Sequence, residues 1–222
     1  MSIRERLNWI LGAMIFALVA GSSARAQSPE PFRAVVTVLP LKGVVQPVLP
    51  EGASLTVLMP PGRSEHGYEF SPSDLAKLAN ADLVVYVGLN LEPKVAAWLE
   101  ANPNPRRRVV EFAEAVGVDA ESHDDHGEDG HVHTAACQHE HAGPDQHLWL
   151  DPVLVKELVP AVRSAVQHAL ADRNEPDAVR NGVNERAAAL ISRIEETDRA
   201  WTEAFKAAEG VSIVTHHNAF SR

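Results

Sequence analysis

Apolar residues occur in the first half of the chain as short continuous runs, whereas the second half shows a helical spacing. The run 34–39 is rich in β-branched residues and almost wholly apolar, and similar runs follow at 54–58, 83–87 and, more weakly, 108–112. Runs of this length without alternation are typical of strands buried on both faces. The first half therefore predicts four strands of a parallel sheet.

Helical segments separate these runs. Ser71 is placed as a helix N-cap, with Pro72 at the first helical position and Asp74 in the first turn. Pro93 opens a second helix that extends through Leu99. Alternating strands and helices predict an α/β fold built on a parallel sheet.

Two longer helices are predicted in the second half. The first covers 151–171, with a kink at Pro160, because proline removes one backbone donor. Apolar residues recur on one face of it at a spacing of four: Leu154, Leu158, Val162 and Val166. The second covers 176–208 and would be about 45 Å long. A helix longer than a small domain is expected to connect two lobes.

The last residues resemble the start of another strand. Gly210 ends the long helix, and 211–215 is again β-branched and apolar. Because a lone strand cannot bury its faces, it either joins the first sheet or begins a second lobe that is missing, and we expect the latter. The predicted α/β architecture is thus an N-terminal parallel-sheet lobe, a long backbone helix and the first strand of a second α/β lobe.

The N-terminus predicts export. Arg4 and Arg6 precede an apolar run at 9–20, and an A-x-A site follows at 24–26, so cleavage is expected before Gln27. No cysteine lies near that site to carry a lipid, so we expect a periplasmic protein released by a cleavable signal peptide. The predicted organisation is a signal peptide at 1–26, an α/β metal-binding lobe at 32–170, a histidine-rich loop within it at 121–145, a linking helix at 175–208 and a truncated C-terminal lobe starting at 211–222.

Composition narrows the classes of function that the sequence allows. The formal net charge of -10 makes nucleic acid a poor partner, because its phosphates would be repelled. Cys137 is the single cysteine of the sequence, so no internal disulfide can form. Histidine is the unusual residue type, with eleven in the chain.

Three isolated histidines occupy predicted loops at the ends of strands or the starts of helices. His66 follows the second strand, His147 precedes the helix at 151–171, and His217 follows the last strand. Binding residues of α/β folds concentrate in such loops, and three neutral imidazoles suit zinc. The spacing alone is also compatible with ordinary surface histidines.

Longer motifs surround these three histidines. They are P-P-G-x-x-x-H-x-Y-x-x-x-P-S-D-L from Pro60, A-D-L-V-V-Y-V-G-L-x-L-E ending at Glu92, D-x-H-L-W-L-D-P from Asp145, and T-H-H-N-A-F from Thr215. In this order, from about residue 34 to 222, they resemble the cluster A-I family of ABC-transporter solute-binding proteins for zinc and manganese.

The resemblance implies two α/β lobes joined by one long helix, with the metal held between them. It implies His66, His147 and His217 as metal ligands. It also implies delivery of the ion to an inner-membrane ABC permease, and we expect the binding protein to be a monomer.

Some positions depart from the family pattern. Glu65 stands where proline is frequent, and Ser221 and Arg222 replace a Gly-Tyr or similar pair. The family usually takes a fourth, acidic ligand from the second lobe, so we expect a truncated product with an open site. His216 does not align with a ligand, and His168 is expected on a solvated helix face.

The segment 121–145 is rich in histidine and acidic residues and shows no apolar periodicity. We expect a mobile loop with loose secondary zinc sites, to which Cys137 either contributes a ligand or adds only an exposed thiol. Its histidines are His123, His126, His131, His133, His139 and His141. In the resembled family such an insert is characteristic of zinc-specific members, so we expect Zn²⁺ as the transported ligand, with manganese as the alternative.

Two other functions are compatible with the sequence. A zinc hydrolase would need a general base near the metal, for which Glu65 is the candidate, although no H-E-x-x-H or G-x-S-x-G motif is present. A periplasmic zinc buffer would act through the histidine-rich loop alone. We expect a binding protein without enzymatic activity.

Overall fold

Four parallel strands form the centre of the fold in the computed structural model, which describes residues 30–63, 68–119, 144–212 and 214. The chain divides into two units, Met1–Glu30 and Pro31–Arg222, and the strands and helices belong to the second unit. The strands are β1 Arg33–Val36, β2 Ser54–Val57, β3 Leu83–Tyr86 and β4 Arg108–Glu111. Each begins within one residue of its predicted start.

The helices connect and cover these strands. They are α1 Leu39–Val45, α2 Pro72–Ala79, α3 Pro93–Ala101, α4 Phe112–Ala115, α5 Pro152–Asp172 and α6 Asp177–Phe205. Short 3-10 helices lie at Gln46–Val48, Leu148–Leu150 and Lys206–Ala208. The α/β prediction is confirmed.

The strand order is β2-β1-β3-β4, and all three pairings are parallel. Arg33 pairs with Ser54, Ala34 with Leu83, and Leu83 with Arg108. The chain therefore moves to opposite sides of β1 when it forms β2 and β3. Such a reversal of strand order opens a crevice at the carboxyl ends of the two central strands, where α/β folds bind ligands.

Burial differs between central and edge strands. All four residues of β3 are buried, and three of the four residues of β1 are. By contrast, Ser54 is exposed and the rest of β2 is only half-buried, while β4 has one buried residue, Val110. The prediction that β2 and β4 are buried on both faces was wrong, because they form the two edges of the sheet.

Alternating residues of the central strands pack into two separate clusters. Val35 and Val84 face a smaller cluster with Leu78 of α2 and Val95 of α3. The larger cluster lies on the other face. It includes Ala34, Val36, Leu83, Val85, Leu158, Val162, Val166, Val183, Ala187 and Leu190. The sheet is thus covered on both faces, as a parallel sheet requires.

The two long helices pack against each other. Leu158, Val162 and Val166 of α5 are buried, as their spacing predicts, and α5 continues through Pro160 as one helix. In α6 the buried residues are Val183, Ala187 and Leu190, whereas Trp201 and Phe205 near its end are 60% and 65% exposed. The first half of α6 therefore packs on the lobe, and a role in connecting two lobes stays a prediction.

The ends of the chain give less information. Of the predicted strand 211–215, the structure describes Val211, Ser212 and Val214, and none of these three is in a strand. The other two residues, the histidine-rich loop and the predicted signal peptide lie outside the described residues, apart from Pro144 and Asp145 at the end of that loop range. Within the part of the chain that is described, none of the helices has the length and apolar character needed to cross a membrane.

Candidate metal centre

His147 lies directly before the 3-10 helix that leads into α5, and it is 8% exposed. Asp145 holds it in two ways. Oδ1 of Asp145 accepts the backbone N–H of His147 at 2.9 Å and contacts ring Nδ1 at 2.8 Å. Both side chains are nearly buried, with exposed fractions of 6% and 4%.

This pairing determines which ring nitrogen can bind a metal. A carboxylate beside Nδ1 favours the tautomer in which Nδ1 carries the proton, so Nε2 presents its lone pair. Metal-binding histidines commonly have such a carboxylate partner, which orients the ring and increases its basicity. The described geometry of His147 therefore suits a zinc ligand.

The rest of the D-x-H-L-W-L-D-P motif fixes the position of this segment. Asp151 caps α5, since its Oδ1 accepts the N–H groups of Val153 at 2.8 Å and Leu154 at 3.4 Å. Trp149 packs against His147 in an edge-to-face arrangement, with ring centroids 5.4 Å apart and an interplanar angle of 70°. Leu148 is fully buried in the larger core cluster. One aspartate thus orients the imidazole and the other starts the helix.

Gln146 connects this segment to the carboxyl end of β3. Its Nε2 donates to the Leu89 carbonyl at 2.7 Å. Leu89 belongs to the loop 87–91, which follows β3 and precedes Glu92. The candidate ligand is therefore attached to the end of the sheet where the topology predicts a binding crevice.

Glu92 is a buried carboxylate in the same region, with 2% exposure. Thr37, which follows β1, donates its hydroxyl to Oε1 at 2.5 Å. The N–H of Val87 donates to Oε1 at 3.1 Å, and the N–H of Gly88 donates to Oε2 at 3.2 Å. Burial raises the pKa of Glu92 although these three hydrogen bonds oppose it, and the nearby charge of Glu111 raises it further.

Glu111, the last residue of β4, lies against the same loop. The hydroxyl of Tyr86 donates to its Oε2 at 2.5 Å. Burial, together with this carboxylate, raises the pKa of Tyr86, so the phenol stays protonated. The Glu111 side chain crosses Gly88 so closely that a Cβ there would collide with Oε1.

Of the three predicted ligands, His147 is the one that the structure describes. His66 and His217 lie outside the described residues, as do Glu65, His216 and Cys137 and the six histidines of the histidine-rich loop, so these assignments stay predictions. Among residues 30–63, 68–119, 144–212 and 214, no group of three or more His, Cys, Asp or Glu side chains could hold a metal ion. His168 is exposed on α5, as predicted.

The sequence motifs include Asp145 and Glu92 but assign them no role, and Gln146 stands at an unspecified position of its motif. An aspartate two residues before a loop histidine is a signal that could have identified Asp145. A glutamate at the end of an apolar run could have drawn attention to Glu92, because a carboxylate in that position needs partners. The contact of Gln146 with Leu89 joins segments 57 residues apart, and no local signal predicts it.

Comparison with known proteins gives a consistent result. The sequence model of one family, described as zinc-uptake complex component A, periplasmic (ZnuA), matches residues 34–222. The zinc-binding lipoprotein AdcA of Streptococcus pneumoniae strain R6 is 26% identical over 222 residues, which is 98% of this chain and 41% of that protein. The high-affinity zinc uptake system protein ZnuA of Yersinia pestis is 30% identical over 140 residues, covering 58% of this chain and 44% of that protein.

The fold is also similar to solved structures. The crystal structure of Zn(II)-bound AdcA from Streptococcus pneumoniae matches with a TM-score of 0.65 and 24% identity, over 86% of this chain and 36% of that chain. This likeness establishes the fold. The chain spans less than half the length of the curated relatives named above.

Proposed function

Because the chain belongs to the periplasmic ZnuA family of zinc-uptake components, whose sequence model matches residues 34–222, we propose that it captures Zn²⁺ for a membrane importer. The observation that carries this proposal is the buried pair of His147 and Asp145 at the carboxyl end of the sheet. An imidazole held in this way is preorganised for metal binding.

The choice of zinc rests on the chemistry of the ligands and on the relatives. Neutral imidazole is a preferred zinc ligand, and a tetrahedral ion accepts three of them with one position remaining. We propose His66, His147 and His217 as these three, which follow β2, precede α5 and follow α6 in the sequence. The relatives AdcA and ZnuA are named for zinc, which favours zinc over manganese as the ion carried here.

Delivery of zinc across a membrane requires a partner protein and export of the chain. A periplasmic component of a zinc-uptake complex needs a permease to carry the ion across the membrane. The partner that we propose is an inner-membrane ABC permease. We also propose export by the signal peptide at 1–26, action in the periplasm as a monomer, and no turnover of a substrate. The histidine-rich loop would add weaker zinc sites beside the main one.

Competition with a zinc chelator tests the proposal, because a chelator of high affinity reports only the tightest site. The chain should bind one zinc tightly, and His147→Ala should weaken that binding at least about 100-fold, since it removes a ligand rather than a supporting group. His168→Ala is the matched control and should bind as the wild type does, because this histidine is exposed on α5.

Deletion of residues 122–141 separates the alternatives. The proposed site should survive the deletion with its affinity intact. If nearly all zinc binding disappears, the protein is a buffer that acts through the histidine-rich loop, and the proposal is wrong. If zinc instead supports hydrolysis that Glu65→Gln abolishes, the protein is an enzyme.

A further inference from the structure

The loop 87–91 has an unusual backbone. Gly88, Leu89 and Asn90 all have positive φ, at 87°, 50° and 61°. A left-handed conformation costs roughly 1–2 kcal/mol for a residue with a side chain, and consecutive examples are rare. Such a loop persists only where its surroundings hold it, and strain of this kind is concentrated at functional sites.

Glu92 is the group that holds the start of this loop. Its carboxylate accepts the N–H groups of Val87 and Gly88. Glu92 directly follows the loop, so these bonds join the end of the loop to its beginning. The hydroxyl of Thr37 joins the same carboxylate to the end of β1. These bonds connect the two central strands at the point where the strand order reverses.

Glu111 restrains the loop from the other side. Its side chain lies across the Cα of Gly88 and is held there by the Tyr86 hydroxyl. The turn itself is closed by the N–H of Leu91, which donates to the Gly88 carbonyl at 2.9 Å. With both sides fixed, the Leu89 carbonyl has a defined direction.

That carbonyl is the acceptor for Gln146, the residue directly before His147. The path from Glu92 to the candidate ligand therefore has three steps: carboxylate to backbone N–H, loop to carbonyl, and carbonyl to the amide of Gln146. Each step is a described hydrogen bond or a covalent connection. Asp145 sets the rotation of the imidazole and also holds the His147 backbone N–H, whereas this path joins the same segment to the loop after β3.

We infer that Glu92 and Gln146 are positioning residues for metal binding, which fix the segment carrying His147 against the carboxyl end of β3 without touching the ion. This inference rests on the proposed function, since it assigns residues that support the same site. Supporting groups around a metal centre commonly change affinity about 10–100-fold when they are replaced.

Two neutral replacements test the path at its two ends. Gln146→Met keeps the length of the side chain and removes the donor to Leu89. Glu92→Gln keeps the shape and introduces an amide that meets two backbone donors, so one of them loses its acceptor. We expect each variant to bind zinc about 10-fold more weakly in chelator competition, with the circular dichroism of a folded protein.

The control is Asp82→Asn, at the opposite end of β3. Asp82, directly before β3, also accepts a backbone N–H, from Arg33 at 2.8 Å, so the substitution replaces a carboxylate that binds backbone at the other end of the sheet. It should lower the melting temperature and leave zinc affinity within about 2-fold of the wild type. A general loss of stability would affect all three variants alike, whereas a positioning role separates them.

The double variant Glu92→Gln/Gln146→Met provides a second readout. Both residues act through the Leu89 carbonyl. The double variant should therefore bind zinc with about the affinity of whichever single variant binds it more weakly, whereas two independent losses of affinity would multiply. If Glu92→Gln does not fold, Gln146→Met against Asp82→Asn still tests the last step of the path.

The outcomes distinguish the two proposals. Zinc affinity unchanged in Gln146→Met, or equal losses in Gln146→Met and Asp82→Asn, overturns the positioning role while the zinc site stands. Multiplied losses in the double variant also overturn it. A wild-type chain without a tight zinc site, or one whose site survives His147→Ala, overturns the proposed function and this inference together.

Discussion

The two ends of the sheet use carboxylates in different ways. At the amino end, Asp82 accepts the N–H of Arg33 and two bonds from Nη1 of Arg173, at 3.1 and 3.0 Å. Both partners of this ion pair are about one-fifth exposed. At the carboxyl end, Glu92 is buried, and its donors are two backbone N–H groups and a buried hydroxyl.

The difference fits a division in which the amino end contributes stability and the carboxyl end carries the proposed site. A partly exposed ion pair at the amino end joins β1, β3 and the end of α5. Burying a carboxylate, by contrast, is unfavourable unless its hydrogen bonds are made. The carboxyl end also contains a strained loop and the buried pair of Asp145 and His147, which fits the rule that ligands bind there.

Replacing a glycine at each end of the sheet should give the largest difference in the free energy of unfolding. Gly88→Ala forces a side chain into φ +87 and displaces Glu111 from Tyr86, so we expect a loss of about 2–4 kcal/mol in the free energy of unfolding. Gly52→Ala, just before β2, has φ +74 but nothing within 4 Å of the new Cβ. It should lose only about 1–2 kcal/mol. Urea unfolding of both variants measures the difference, and equal losses would show that Glu111 does not restrain the loop.

Replacing Asp145 should reduce zinc affinity by about 10–100-fold, because Asp145→Asn leaves the His147 ring without its charged partner. Chelator competition measures this effect. An affinity equal to that of the wild type would mean that the orientation of the ring does not depend on the carboxylate.

The corresponding substitution at the amino end should lower stability and leave zinc affinity unchanged. Asp82→Asn weakens the ion pair with Arg173, and we expect a loss of about 1 kcal/mol in the free energy of unfolding. Thermal unfolding measures it. A loss of zinc affinity in this variant would contradict the division of roles between the two ends.

The smallest expected effect is a dependence on pH. Because burial raises the pKa of Glu92, the folded chain holds this proton more tightly than the unfolded chain. The resulting stabilisation is complete below the ordinary value of 4.5 and is lost as pH rises through the folded pKa. Glu92→Gln has no such proton, so the wild-type free energy of unfolding minus that of the variant should decrease as pH rises from 4.5. An increase over that range would mean that the hydrogen bonds to the carboxylate outweigh its burial.

Local signals in the sequence predicted most of the fold. The cap of α2 is an example, because Ser71 Oγ accepts the N–H of Asp74 and Asp74 Oδ2 accepts the N–H of Ser71, as a serine three residues before a carboxylate suggests. Helix α1, Leu39–Val45, was not predicted. Its first residue continues the apolar run of β1, and hydrophobicity alone cannot separate a buried strand from a buried helix start.

The site was less predictable than the fold. His147 was identified from its motif, and the motif places Asp145 beside it. The contacts that hold this segment, from Gln146 to Leu89 and from Glu92 to Thr37, join residues 57 and 55 positions apart. Their identity depends on the order of the strands, which the apolar runs do not specify.

We propose that His147 binds zinc through Nε2 while Nδ1 stays hydrogen-bonded to Asp145. Nitrogen NMR of the imidazole rings, recorded before and after one equivalent of zinc, tests it directly. We predict that zinc shifts Nε2 of His147 to a metal-bound value and that Nδ1 keeps its proton. Zinc bound at one equivalent with the His147 ring unchanged, or bound through Nδ1, would contradict the account.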